Sequence, residues 1–161
     1  MLVDAQKVEK DYFGSHLFRR PQALRARLVE GLEIADVDCH VPPVLVRRRL
    51  HKFLSEELDE LFPVDEYTRL FAHPTKISGP VVDSSLSQVL GGGGGDMQRK
   101  KKRCVLAVGP EGGWSDGEVE LFSGQHGFLP FSAGTRILRT DVAVPVLLGL
   151  VRDLFRDEEH G

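Results

Sequence analysis

Two groups of residues in this chain have the types and spacing to do chemistry. The first is Gly109-Pro110-Glu111-Gly112-Gly113-Trp114-Ser115-Asp116-Gly117-Glu118. Pro110 fixes its own φ and keeps Gly109 out of helical angles, while Gly112 and Gly113 can take positive φ. Ser115 with Glu118 three residues on forms a capping box, so a helix should begin there. A glycine-rich turn that feeds a helix N-terminus lets a ligand approach backbone amides closely, as α/β sheets commonly arrange. The turn has no Gly-x-Gly-x-x-Gly and no Gly-Lys-Ser/Thr, so neither a standard dinucleotide fingerprint nor a P-loop is present. The second group, Phe131 to Asp141, repeats the design: a short apolar segment, a glycine turn at Ser132-Ala133-Gly134, then Arg136-Ile137-Leu138-Arg139 before an apolar helix. His73-Pro74 ends a separate expected strand, where a histidine on its own reads as a strand-end cap.

The elements that must position these groups follow from patterning. Cys104-Val105-Leu106-Ala107-Val108 is a short apolar run bounded by turn formers and reads as a strand buried on both faces of a parallel sheet. Arg69 to His73 reads as a central strand, and Phe128 to Phe131 as a further short one. Pro21 opens a helix with Leu24, Leu28 and Leu32 on one face. Leu50, Phe53, Leu54, Leu58 and Leu61 mark a second amphipathic helix ending at Pro63. Gly124 or Gly127 ends the helix that follows the first turn. The last helix, from Val142 to Phe155, is apolar all round, with Pro145 in or near its first turn, so one side should meet a second subunit.

A length of 161 residues fits one domain with a real core. A hydrophobic content of 41% and a charged content of 28% are ordinary for a globular chain and exclude a disordered one. No run approaches the ~20 apolar residues of a membrane span. The six histidines show no ligand spacing, so no metal is expected. Cys39 and Cys104 read as reduced thiols of an intracellular, cytoplasmic protein. The net charge of −3 hides an asymmetry: residues 1–54 hold ten Lys/Arg against seven Asp/Glu, and residues 99–103 are all basic. RNA contacts, if made, should therefore be local. One place for them is Asp11-Tyr12-Phe13-Gly14-Ser15-His16, near Lys7, Lys10, Arg19 and Arg20. These aromatics either stack on single-stranded RNA or pack on the core. Residues 78–97 include five consecutive glycines and read as a flexible insertion, with residues 91–103 its Gly-rich and basic part.

Taken together, Gly109 to Glu118, Ser132 to Ala143 and Val144-Pro145-Val146-Leu147-Leu148-Gly149 closely resemble the RsmE-type rRNA methyltransferases of the SPOUT superfamily. Their pattern reads Gly-Pro-Glu-Gly-Gly-aromatic-Ser/Thr, then Leu-Gly-x-Arg-Ile-Leu-Arg-x-Glu-Thr-Ala. This chain departs from it with Ala133 for Leu, Asp141 for Glu and Val142 for Thr. The resemblance implies an α/β fold with a mostly parallel sheet, flanking helices and a C-terminal trefoil knot. It implies a homodimer that binds S-adenosylmethionine and methylates N3 of a uridine in small-subunit ribosomal RNA. It places His73, Pro74, Gly109, Pro110, Glu111, Gly112, Gly113, Ser132, Ala133, Gly134, Ile137, Leu138 and Arg139 around the methyl donor. Arg136, Arg139 and Asp141 become the candidates for catalysis: the arginines for phosphate or developing charge, Asp141 for a proton or for orienting an arginine. Compared with that family, the chain begins late, without its PUA-like RNA-binding barrel. Two other readings compete: a knotted RNA-binding assembly factor without catalysis, and a ribose 2′-O-methyltransferase.

Overall fold

The computed structural model describes residues 1–34, 40–74, 85–91, 103–134 and 136–156. The chain enters through a two-residue strand, β1 (Leu2–Val3), which pairs in parallel with β2 (Val46–Arg47). Between them lie α1 (His16–Arg19), whose cap Ser15 accepts from Leu17 N, and α2 (Pro21–Ile34). Leu24, Leu28 and Leu32 are the half-buried face of α2, which has no fully buried residue. The expected second amphipathic helix is two pieces, α3 (Leu50–Glu56) and α4 (Leu58–Leu61), which meet at Glu57, the C-cap of one and the N-cap of the other. Leu50, Phe53, Leu54 and Leu58 are still buried along one side.

The sheet that matters has three parallel strands in the order β4 (Arg103–Ala107), β3 (Tyr67–Ala72), β5 (Leu129–Phe131). Register runs from Tyr67↔Arg103 to Phe71↔Ala107 on one side and from Leu70↔Leu129 to Ala72↔Phe131 on the other. Side chains alternate between two apolar clusters. Phe71, Val105 and Ala107 join Leu54, Leu58, Trp114 and Phe122 on one face. Leu70, Cys104, Leu106 and Phe131 join Leu86 and Leu147 on the other. Covering on both faces is what a parallel sheet requires, and it explains the uninterrupted apolar run at 104–108. Burial pushes the Cys104 thiol up to about 12, so this free thiol stays protonated.

Helix α5 (Leu86–Gly91) corrects the sequence reading, which placed 78–97 in a flexible insertion. Leu86 is buried, and Val89 and Leu90 pack beside it. Gly91 closes this helix and Arg103 opens β4, so most of the expected 91–103 insertion lies outside the described residues. Helix α6 (Asp116–Glu120) runs into a π-helical turn, Leu121–Gln125, and the chain reverses at Gly127 with φ +65°. The last helix, α7 (Thr140–Arg156), starts early enough that Pro145 lies inside it rather than at its first turn. Proline there removes the i→i−4 bond to the Asp141 carbonyl. Among the described residues, no helix is long and apolar enough to cross a membrane.

Candidate active site

The carboxyl ends of β3, β4 and β5 open on one cavity of about 550 Å³, within the range that holds small ligands. Flanking β3 with two parallel neighbours makes these ends converge, and α/β sheets bind ligands outside such strand ends. Each strand hands the cavity a short loop: Ala72-His73-Pro74 from β3, Val108-Gly109-Pro110-Glu111 from β4, and Phe131-Ser132-Ala133 from β5.

The wall after β4 is heavily braced. Gly113 takes φ +67° and donates to Pro110 O at 2.8 Å, closing the turn. Trp114 then folds its ring back over Gly109, where a Cβ would lie 3.1 Å from the indole. Its Nε1 donates to Ala72 O at 3.0 Å, tying the end of β3 to the turn. Ser115 and Glu118 form the expected capping box. Glu118 is only 4% exposed. Its carboxylate accepts from Ser115 N at 2.9 Å, Ser115 Oγ at 3.0 Å and, across the fold, Gln6 N at 2.7 Å. Lys7 Nζ adds a bond of 3.0 Å to Trp114 O. Gly112 faces this segment rather than the cavity: a Cβ there would meet Lys7 Cβ at 3.1 Å.

The opposite wall is open. Ser132 Oγ donates to Gly134 O at 2.6 Å, and Gly134 takes φ +127°. Arg136, Ile137, Leu138, Arg139 and Thr140 border the cavity, with Ala143 and Leu147 of α7 below them. Ile137 is 64% exposed. Arg139 Nε stands 3.4 Å from Asp141 Oδ1, and both side chains are largely in solvent.

His73 lines the cavity just beyond the end of β3. Its backbone N donates to Phe131 O at 3.0 Å, which links β3 to β5 beyond the register. The ring stacks on Phe71, and Nδ1 is buried with no hydrogen-bond partner. Burial lowers the His73 pKa; Asp116 opposes this and Lys7 adds to it. The imidazole is therefore neutral near pH 7, with a nitrogen whose hydrogen bonding is unmet.

Of the residues singled out from sequence, the cavity brings together His73, Pro74, Gly109, Pro110, Glu111, Gly113, Ser132, Ala133, Arg136, Ile137, Leu138 and Arg139. Gly112, Gly134 and Asp141 are not among its lining residues. Those that sequence reasoning missed are mostly apolar: Trp114 above all, then Ala72, Val108, Phe131, Thr140, Ala143 and Leu147. The aromatic directly after Gly112-Gly113 was the available signal for Trp114. Among the described residues no cluster of His, Cys, Asp or Glu could hold a metal ion.

A three-stranded parallel core with a ligand-sized cavity at its carboxyl edge places the chain in the α/β class. The chain belongs to the RNA methyltransferase domain family, which residues 2–152 match. A ribosomal RNA small subunit methyltransferase E from Synechocystis is 50% identical over 50 residues, 31% of this chain and 16% of that protein. The same fold occurs in a small subunit methyltransferase E from Neisseria gonorrhoeae solved with S-adenosyl methionine (22% identity, TM-score 0.67). It also occurs in a putative methyltransferase from Legionella pneumophila solved with the same cofactor (22%, TM-score 0.65). Each comparison covers 94% of this chain and 53% of the solved one, so the chain spans about half their length. A probable rRNA methyltransferase from Porphyromonas gingivalis is similar over 96% of the chain and 55% of its own, at 19% identity and TM-score 0.59. The name of the Synechocystis protein agrees with the resemblance that the two motifs carry.

Proposed function

We propose that this chain is an S-adenosylmethionine-dependent RNA methyltransferase acting on N3 of a uridine in small-subunit ribosomal RNA. The observation that carries the reading is the cavity where both glycine-turn motifs and the end of β3 converge. Its features fit the donor. Val108, Ile137 and Leu138 offer apolar surface to an adenine, and their backbone groups offer hydrogen bonds to its edges. Gly109 and Gly113 keep the turn free of side chains, Glu111 can offset a positive sulfonium, and the unpartnered His73 Nδ1 is a buried polar atom that a ligand would satisfy. Pro74, Ser132 and Ala133 complete the rim, while Gly112 and Gly134 shape the two turns from outside it.

The donor supplies an electrophilic methyl group on sulfonium sulfur. Uridine N3 carries a proton on the pairing edge, so the base must be unpaired or flipped out to reach the cavity. Loss of that proton to solvent water spreads negative charge onto the uracil oxygens, which Arg136 and Arg139 on the cavity wall would stabilise. Asp141 stands outside the cavity and beside Arg139, an arrangement that favours orienting the guanidinium over accepting the proton. The exposed apolar residues Val142, Val144, Val146, Leu148 and Leu150 of α7 support a homodimer with the second copy seated over this helix. A trefoil knot in the C-terminal segment is part of the same proposal.

Calorimetric titration with S-adenosylmethionine is the first test, beside Gly109→Val, whose side chain would push on Trp114. Saturable binding lost in the variant, followed by N3-methyluridine in treated small-subunit rRNA, is the expected result. A folded wild type that binds no donor rejects the reading. A 2′-O-methylated product would replace the N3 assignment.

A further inference from the structure

The stretch from Lys7 to Arg20 carries a surface that the proposed reaction leaves unused. Tyr12 is 62% exposed, yet it is held firmly from behind. Phe13 is buried and stacks on Phe18 at 5.8 Å, and Tyr12 meets these rings at 6.3 and 6.4 Å. Turn bonds fix the backbone beneath: Tyr12 N to Glu9 O, Gly14 N to Asp11 O and Ser15 N to Tyr12 O, at 3.0 to 3.2 Å. Lys10, Arg19 and Arg20 are exposed and make no ion pair among the described residues. Glu9 and Asp11 are the acidic groups of the stretch, so four Lys/Arg outnumber two carboxylates.

The same stretch is fastened to the cavity. Lys7 Nζ holds the carbonyl of Trp114, a lining residue, and Gln6 N holds Glu118. Tyr12 lies five positions after Lys7, which limits their Cα separation to about 18 Å even for a fully extended chain.

We propose that Tyr12, backed by Phe13 and Phe18 and flanked by Lys10, Arg19 and Arg20, is a stacking platform for an unpaired base of the RNA substrate, a few nucleotides from the one in the cavity. The inference rests on the RNA methyltransferase reading. A base taken out of pairing leaves neighbours with lost stacking, and an exposed ring beside phosphate-neutralising cations replaces it for any base type. Phe13, being buried, cannot serve. The structure therefore divides the two readings that the sequence left open: Phe13 belongs to packing and Tyr12 to the solvent surface.

The test is fluorescence anisotropy of a labelled single-stranded oligouridylate with the full chain. Tyr12→Ala should weaken binding by about 5- to 150-fold, the range one stacked base supplies, while Tyr12→Phe stays near wild type. Replacing Arg19 and Arg20 by Gln should lower the log–log salt slope by about 1.4. Titration of Trp114, the single tryptophan, with S-adenosylmethionine checks that each variant keeps its cavity. Wild-type oligouridylate affinity in Tyr12→Ala would overturn the proposal. So would a changed sedimentation coefficient with unchanged RNA affinity, which would assign the ring to a protein contact. A wild type that binds the oligonucleotide but no donor would instead reject the donor reading and leave the platform standing.

Discussion

The two glycine turns share a sequence design and differ in physical state. The turn after β4 is locked: an indole covers it, a buried carboxylate caps its helix, and Gln6 and Lys7 reach across the fold to it. The turn after β5, in its described residues, carries the short-range Ser132–Gly134 bonds and an exposed Arg139–Asp141 pair, with Ile137 in solvent. A ligand meeting these walls would find one braced from across the fold and one open to solvent. Preorganisation lowers the entropy lost on binding, so the locked turn suits the invariant part of a ligand. The open turn suits contacts completed by substrate or by a second copy.

The sharpest way to break this contrast is to remove the brace. Glu118→Ala leaves Gln6 N and Ser115 N without their acceptor and deletes the capping box. We expect unfolding free energy to fall by about 3 kcal/mol, read from urea denaturation. A loss below about 1 kcal/mol would mean the turn holds itself.

That brace also marks where sequence reasoning stops. The strand at 104–108, the turn and the capping box were legible because each follows from neighbours in the chain: an apolar run, Pro110, and Ser115 with Glu118. The bonds from Gln6 and Lys7 span more than a hundred residues, and no local rule announces them. Gly112 shows the consequence. Its place in a Gly-Gly pair suggested ligand contact, whereas the space it frees is taken by Lys7. Buried Arg69 is a similar case, held by Asp59 at 2.6 Å and by the Phe62 and His126 carbonyls. Helix α5 was hidden differently. Leu86, Val89 and Leu90 have helical spacing, but the glycine run beside them dominated the composition.

Gly113→Ala sharpens the contrast next. A Cβ there meets nothing within 4 Å, so the effect is purely conformational, from holding alanine at φ +67°. It should lower stability by about 1–2 kcal/mol and weaken donor binding more than the tyrosine substitutions do. Equal donor affinity in Gly113→Ala and wild type would show that the locked geometry is not needed for binding.

A smaller effect comes from pH. Burial lowers the pKa of His73 and of His126, Asp59 opposing the latter and Arg69 and His51 adding to it. Each imidazole then binds protons more readily in the unfolded chain than in the folded one. Stability is thus fully present above the ordinary value of 6.5 and declines as pH falls from there through the folded values. Denaturation between pH 7.5 and 5 should show this slope, reduced in His73→Asn and again in His126→Asn. Donor affinity should weaken over the same window in wild type but not in His73→Asn. An unchanged stability slope in both variants would assign the acid sensitivity to other groups.

The smallest expected change in stability lies on the open wall. Asp141→Asn removes an exposed partner of Arg139 and a carboxylate from the first turn of α7, so unfolding free energy should move by less than about 1 kcal/mol. The same variant bears most directly on the proposed chemistry. If Asp141 aims Arg139 at a developing uracil anion, methyl transfer should slow with donor affinity unchanged, because the lost contact matters in the transition state. Arg139→Lys then separates aim from charge: a lysine keeps the positive charge but cannot reproduce the planar guanidinium fork. Slow transfer in both variants, with folding and donor binding intact, would make this exposed pair functional. Full activity in Asp141→Asn would leave Arg139 to act without its partner.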